Sequence, residues 1–245
     1  MPRGLGLTMA LRSVSALLEK VGHAVWRADA LAGAISTAGV VASGHHDLDA
    51  QLPGGGWPVG ALCELLQEQG GQLEWRLLLP ALRGLPHAVV LVAPPWVPYG
   101  PGLQAQGLSA SALIWVQVQS LADRLWAAEQ MLHSDGVSAL LLWLPKVRSE
   151  SLRRLHMAAH AHAKLLFVMR LAEAQTESSP AILRLLVQAH TADDLLHVQI
   201  LKRRGPPLVS TLHLPARPAA LAVLLAIHQS GSGNVNVLGR TAAAV

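Results

Sequence analysis

The sequence predicts an α/β domain: a mostly parallel sheet covered by helices, with antiparallel strands added towards its C-terminal end. Three observations predict it. From Ala61 onward, short apolar runs alternate with amphipathic stretches. The runs recur about every 25 residues, the rhythm of strand–helix–strand units, in which a crossover must join parallel strands. The stretch HAVVLVAP (87–94) is a continuous apolar run after its histidine, as expected of a buried parallel strand.

Composition agrees. The chain has 245 residues, 51% apolar and only 14% charged, which suits a buried core and excludes a disordered chain. Seven of the nine aromatic residues are Trp, read either as core residues or as anchors for a partner. Residues 1–120 carry net charge −1 and residues 121–245 carry +5. A basic half suits nucleic acid, an acidic protein, or simply a solvated surface. Cys63 is the single cysteine, so no internal disulfide and no cysteine-based metal site is expected, and a reducing cytoplasm fits. No apolar run approaches the about 18 residues a membrane span needs. Without a continuous apolar run or a cleavage site near Met1, no secretory signal is expected; Met9 is a second candidate start.

The elements follow in order. Residues 1–38 read as an N-terminal arm, with Leu11, Val14, Leu17, Leu18 and Val21 at helical spacing and Gly22 as a stop. The α/β domain spans 39–216. ALCELL from Ala61 is its first strand and 72–84 its first helix. Strands follow over 87–94 and, after a proline-rich bend, 112–118. A helix over 121–134 places Leu121, Leu125, Ala128 and Leu132 on one face. Next come a strand over 137–145, a helix over 149–162 with Ser149 as N-cap, and a strand over 163–170. AILRLLVQA, LLHVQILKRRG and PPLVSTLHL read as antiparallel strands extending the sheet. RPAALAVLLAIHQ (217–229) suits a C-terminal helix with Pro218 in its first turn, and 230–245 an aperiodic tail.

The stretch LPGGGWPVGALCELLQEQGGQLEWRLL (52–78) has the layout of a phosphate-binding turn: glycines, strand, glycine-containing loop, helix. Such a loop needs backbone N–H groups to cradle phosphate, a Lys to neutralise it and a Ser or Thr to hold Mg²⁺. Here Gly70 and Gly71 are followed by Gln72, Leu73 and Glu74, and a carboxylate at that place repels a phosphate tail.

SGHHDLDAQLPGGGWPVGALCELL (43–66) resembles the segment leading into the nucleotide loop of RecA recombinases. It is closer still to the ImuA family, a RecA-like, SulA-like group of bacterial proteins associated with translesion synthesis. PPWVPYGPGLQAQGL (94–108), LWAAEQMLHSDGVSALLLWLP (125–145) and ILKRRGPP (200–207) extend the likeness over about 23–216. The resemblance implies a RecA-like (P-loop NTPase-type) three-layer domain with a degenerate nucleotide loop. It places the loop lysine on Leu73, the Mg²⁺-binding hydroxyl residue on Glu74, the water-activating glutamate near Pro94 and the strand-ending aspartate on Trp143. Each replacement removes a different part of a phosphoryl-transfer site, so no catalytic residue, cofactor or enzyme activity is expected. The implied role is accessory, in SOS-induced translesion DNA synthesis. The implied partners are an ImuB-like Y-family polymerase homologue, an error-prone DnaE-type polymerase and RecA, with DNA contact indirect and no membrane. A SulA-type cell-division inhibitor and an atypical RecA-like ATPase are the alternatives.

Other clusters carry weaker signals. Lys202, Arg203 and Arg204 form the densest positive group, either a solvated strand end that discourages sheet pairing or a contact for DNA or an acidic partner. His156 and His160 stand one helical turn apart with His162 nearby, but Met157 occupies the place where a zinc hydrolase carries Glu, and an exposed helix face is expected. His45, His46, Asp47 and Asp49 lie in the turn before the glycines, where Asp49 is expected to bond turn backbone. The loop 172–181, which on the resemblance corresponds to a DNA-contacting loop of RecA, contains Glu173 and Glu177 and no basic residue. GLSAS does not match a nucleophile elbow.

Overall fold

A computed structural model describes residues 39–71, 73–190 and 194–217. The N-terminal arm over 1–38, Gln72, residues 218–229 of the expected C-terminal helix and the tail over 230–245 lie outside the described residues.

A short antiparallel pair, β1 (Val40–Val41) and β2 (Trp57–Pro58), brackets a one-turn helix, α1 (His46–Asp49). The main sheet then builds from β3 (Ala61–Gln67), α2 (Glu74–Leu82), β4 (Ala88–Val92), α3 (Gly100–Ala105) and β5 (Leu113–Val116). It continues with α4 (Leu121–His133), β6 (Val137–Trp143), α5 (Ser149–Ala161) and β7 (Leu165–Leu171). The last strands are β8 (Leu183–His190), β9 (Leu195–Lys202) and β10 (Leu212–Pro215). The eight-stranded order is β10-β9-β8-β3-β7-β6-β4-β5. Strands β3 to β8 run parallel to their neighbours, while β9 and β10 join antiparallel.

The sheet is apolar on both faces. Cys63, Leu65, Leu91, Leu141 and Phe167 pack on one side against α2, α1 and the glycine turn, where Trp57 meets Phe167 edge-on at a centroid distance of 5.2 Å. Leu62, Val90, Leu140 and Val168 pack on the other side against α4 and α5. Burial on both faces is the physical reason that β4 is apolar throughout and that β3, β6 and β7 are apolar apart from Glu64, Gln67, Ser138 and Arg170.

Several expectations need correction. AILRLLVQA (β8) is not an antiparallel addition: it lies parallel to β3 with Cys63 opposite Leu183, and the antiparallel pairings of the main sheet are confined to β8 with β9 and β9 with β10. Apolar content cannot tell the two arrangements apart; the connection from β7 crosses over β3, which a parallel neighbour requires. Ser149 is the first residue of α5 and not its cap; Arg148 holds that place without a side-chain cap bond. Leu121 is exposed at the start of α4, whose packed face begins at Leu125 and continues through Ala128 and Leu132. The first helix starts at Glu74, since Leu73 still belongs to the loop.

Inside α2 stands Pro80, which cannot donate to the carbonyl of Arg76 one turn back. His45 compensates: its Nε2 lies 3.2 Å from the Leu77 carbonyl and also reaches that of Arg76. Gly44, at φ +81, permits this approach, because a Cβ there would collide with the Pro80 ring. Asp49 Oδ1 accepts from Ser43 N at 2.8 Å, as the turn reading expects. The histidine-rich segment 43–49 therefore fastens the turn to α2.

Candidate functional site

In open α/β sheets, ligands bind beyond the carboxyl ends of the strands. At that edge lies a cavity of about 400 Å³, lined by residues at or just beyond the carboxyl ends of β4, β5, β6 and β7 and by Gly70 of the loop after β3. Its walls include Pro94, Pro95, Trp115, Trp143, Arg124 and Arg170.

The loop after β3 is closed by its own neighbours. Gly71 adopts φ +91, and a Cβ there would overlap Trp96 Cδ1 and lie 2.7 Å from Pro95 Cγ. A Cβ on Gly70 would stand 3.3 Å from Trp143 Cδ1. The backbone N–H of Leu73 donates to Gln67 Oε1 at 3.2 Å. Trp143 Nε1 donates to Glu74 Oε1 at 2.9 Å, and both side chains are buried. The two residues at the expected magnesium-ligand positions are thus joined to each other. Glu74 Oε2 has no hydrogen-bond partner among the described residues, and its carboxylate is favourably placed in the first turn of α2. Pro94 lines the cavity after Ala93, which takes φ 52, an uncommon conformation for a residue with a side chain.

A second cluster, unforeseen from the sequence, lies beside the first. Arg184 Nε donates to Glu64 Oε2 at 2.6 Å, and Arg170 Nη1 lies 3.6 Å from Glu64 Oε1. That second separation is an ion-pair distance and too long for a hydrogen bond. Arg170 Nη2 also donates to Glu177 Oε2 at 2.8 Å. Arg184 completes its fork on the carbonyls of Ala174 (2.7 Å), Glu177 (3.2 Å) and Gln175 (3.3 Å). These bonds hold the turn after β7, the loop in which a DNA contact was considered. The signal was present: a charge within an otherwise apolar strand, as in ALCELL and AILRLLVQA, must be paired when buried.

The basic group 202–204 is largely engaged by its own chain. Lys202 Nζ donates to the Ser179 carbonyl at 2.9 Å. Burial, then the nearby Arg184 charge, lowers its pKa. Arg203 donates to the carbonyls of Pro206 and Gln51, tying the end of β9 to the turn after α1. Arg204 is exposed. His156 and His160 are half-buried, so the exposed face expected there is not seen. Burial lowers the His156 pKa, opposed by a hydrogen bond to the Pro180 carbonyl. Among the described residues, no group of three or more His, Cys, Asp or Glu is arranged to hold a metal. Cys63 is buried, which pushes its thiol pKa up, and it is inert by the same token. No described helix is long and apolar enough to cross a membrane.

No protein-family profile matches the chain. Protein ImuA of Caulobacter vibrioides, in strains NA1000 and CB 15 alike, is 30% identical over 135 residues, covering 52% of this chain. The matched region spans 55%, about half, of the length of those curated relatives. These matches bear out the ImuA likeness carried by the sequence motifs.

Proposed function

We propose that the chain is a non-catalytic, RecA-like accessory protein of SOS-induced translesion DNA synthesis, working in the cytoplasm through protein contacts. Its partners on this reading are an ImuB-like polymerase homologue, an error-prone DnaE-type polymerase and RecA. The similarity to Protein ImuA supports the pathway. The observation that carries the lack of catalysis is the bond from Trp143 Nε1 to Glu74 Oε1. A phosphoryl-transfer site needs a metal between those two positions and a cation in the loop, and here an indole donates directly to one oxygen of the carboxylate. Leu73, where the loop cation would stand, is buried and apolar.

Two measurements test the reading. ATP with Mg²⁺ should give no turnover and no shift in melting temperature, since a ligand that does not bind the folded state cannot stabilise it. Gel filtration of the full chain mixed with RecA, and with the ImuB-like homologue, should show a complex. ATP turnover abolished by changes at Gly70–Glu74 would establish an atypical ATPase instead, and the absence of either complex would remove the accessory role.

A further inference from the structure

We propose that the cavity over the carboxyl ends of β4 to β7 docks an extended segment of a partner protein, taking an aromatic side chain into the cavity and an acidic group onto Arg124. The inference rests on the cavity being free of nucleotide, as proposed above, and deepens that reading by naming the chemistry of the partner.

Charge is the first argument. Two arginines and no acidic residue line the cavity. Arg170 is committed to Glu177 and Glu64. Arg124 is not committed: Nη1 reaches the Trp143 carbonyl at 3.3 Å, no carboxylate pairs with it among the described residues, and its buried Nε has no partner. A guanidinium with unused donors in a half-buried wall favours a carboxylate, which it holds through charge-assisted hydrogen bonds.

Shape is the second argument. A volume of about 400 Å³ accommodates one aromatic side chain and its backbone. Trp115 and Trp143 supply aromatic surface, and Gln117 and Gln119 supply both donors and acceptors for a peptide.

The third argument distinguishes a polypeptide from a free small molecule. The loop that brings Pro94 and Pro95 to the cavity continues into Trp96, Val97 and Tyr99, which are 68%, 71% and 74% exposed. Trp115, itself a lining residue, and Ile114 belong to β5, the edge of the sheet among the described residues, and both are partly exposed. Large apolar side chains next to an open strand edge suit an extended chain that passes beyond the cavity. A small ligand would leave this rim uncovered.

The test uses the fluorescently labelled full chain on an array of pentapeptides. The central residue is Trp, Phe, Leu or Ala, and its flanks are Asp, Ser or Lys. Retention should be greatest for Asp-flanked aromatics, at least about tenfold above Lys-flanked ones, and should fall as salt is added. Arg124→Gln should lower it about tenfold, with Arg124→Lys restoring part. Trp115→Ala should erase the preference for an aromatic centre. Melting curves of each variant check folding, and the Lys variant keeps the test decisive should Arg124→Gln fail to fold. A parallel titration uses indole-3-acetate. Saturable binding of that acid without peptide retention assigns the cavity to a free aromatic acid and overturns the proposal. Retention that is absent, indifferent to the sign of the flanks, or unchanged in both variants overturns it as well. Nucleotide binding is read separately by melting, so the two readings fail on different signals.

Discussion

Strands β3 and β7 are paired neighbours, and the loops leaving them emerge at the same edge of the sheet. The two loops are held by opposite means. The loop after β3 is closed by shape: Gly71 lies against Trp96 and Pro95, and single side-chain bonds join Gln67 to Leu73 and Trp143 to Glu74. The turn after β7 is held by charge: Glu64 anchors Arg184, which binds three carbonyls of that turn, while Arg170 reaches Glu177. A shape-closed loop tolerates substitutions that preserve volume and polarity. A buried ion cluster tolerates little, because removing one member strands the others without solvent.

The comparison makes predictions of decreasing size. Glu64→Ala leaves two buried guanidiniums without their shared anion and should cost about 3–5 kcal/mol, read as a fall in the urea midpoint. A loss below about 1 kcal/mol would mean that the two loops do not differ as described. Gly71→Ala combines a disfavoured φ with a collision at Trp96 and should cost up to about 3 kcal/mol by thermal melting. A double change with Trp96→Ala should recover the part of that cost due to the indole and leave the backbone part and the contact with Pro95 Cγ, which a Cβ would meet at 2.7 Å. Trp143→Phe removes the one donor to Glu74 seen among the described residues and should cost at least about 1 kcal/mol, whereas Glu74→Gln keeps an acceptor for the indole and should cost less. Equal losses for the last two would show that the hydrogen bond does not hold the loop.

Acidification probes the same loop from its other side, through the helix that begins there. Burial lowers the pKa of His45, which holds α2, below its ordinary value of 6.5. The unfolded chain therefore takes up the proton first. Stability from this group is fully present above pH 6.5 and is lost as pH falls through the lowered value in the folded state; His156 adds in the same direction. Melting temperature should drop on that acid limb, and His45→Gln should flatten it. The smallest effect is expected at Lys202→Ala, within about 0.5 kcal/mol, because its bond to Ser179 is at the surface. A larger loss would extend the charge-held region to the end of β9.

Much of this was legible in the residues. Predominantly apolar runs marked β4, β6 and β7, and the 43–66 stretch carried the ImuA likeness. The apolar Leu73 and the acidic Glu74 that follow Gly70, Gly71 and Gln72 were equally plain. The meeting of Trp143 with Glu74, 69 positions apart, was not, since no spacing rule links the ends of β6 and β3. Arg203 looked like a surface cation and instead bonds Gln51, for the same reason of distance along the chain. Leu121 kept the helical period of its neighbours yet lies beyond the edge of what α4 covers.

By itself the sequence determined the mostly parallel α/β class and the apolar character of positions such as Leu73, because burial period and side-chain chemistry are local properties. Tertiary structure alone decided which distant residues satisfy one another: Trp143 with Glu74, Glu64 with Arg170 and Arg184, and Arg124 left with unused donors at the cavity wall. Pairing of buried polar groups is settled by where strand order brings their ends together, and that order is a property of the folded sheet.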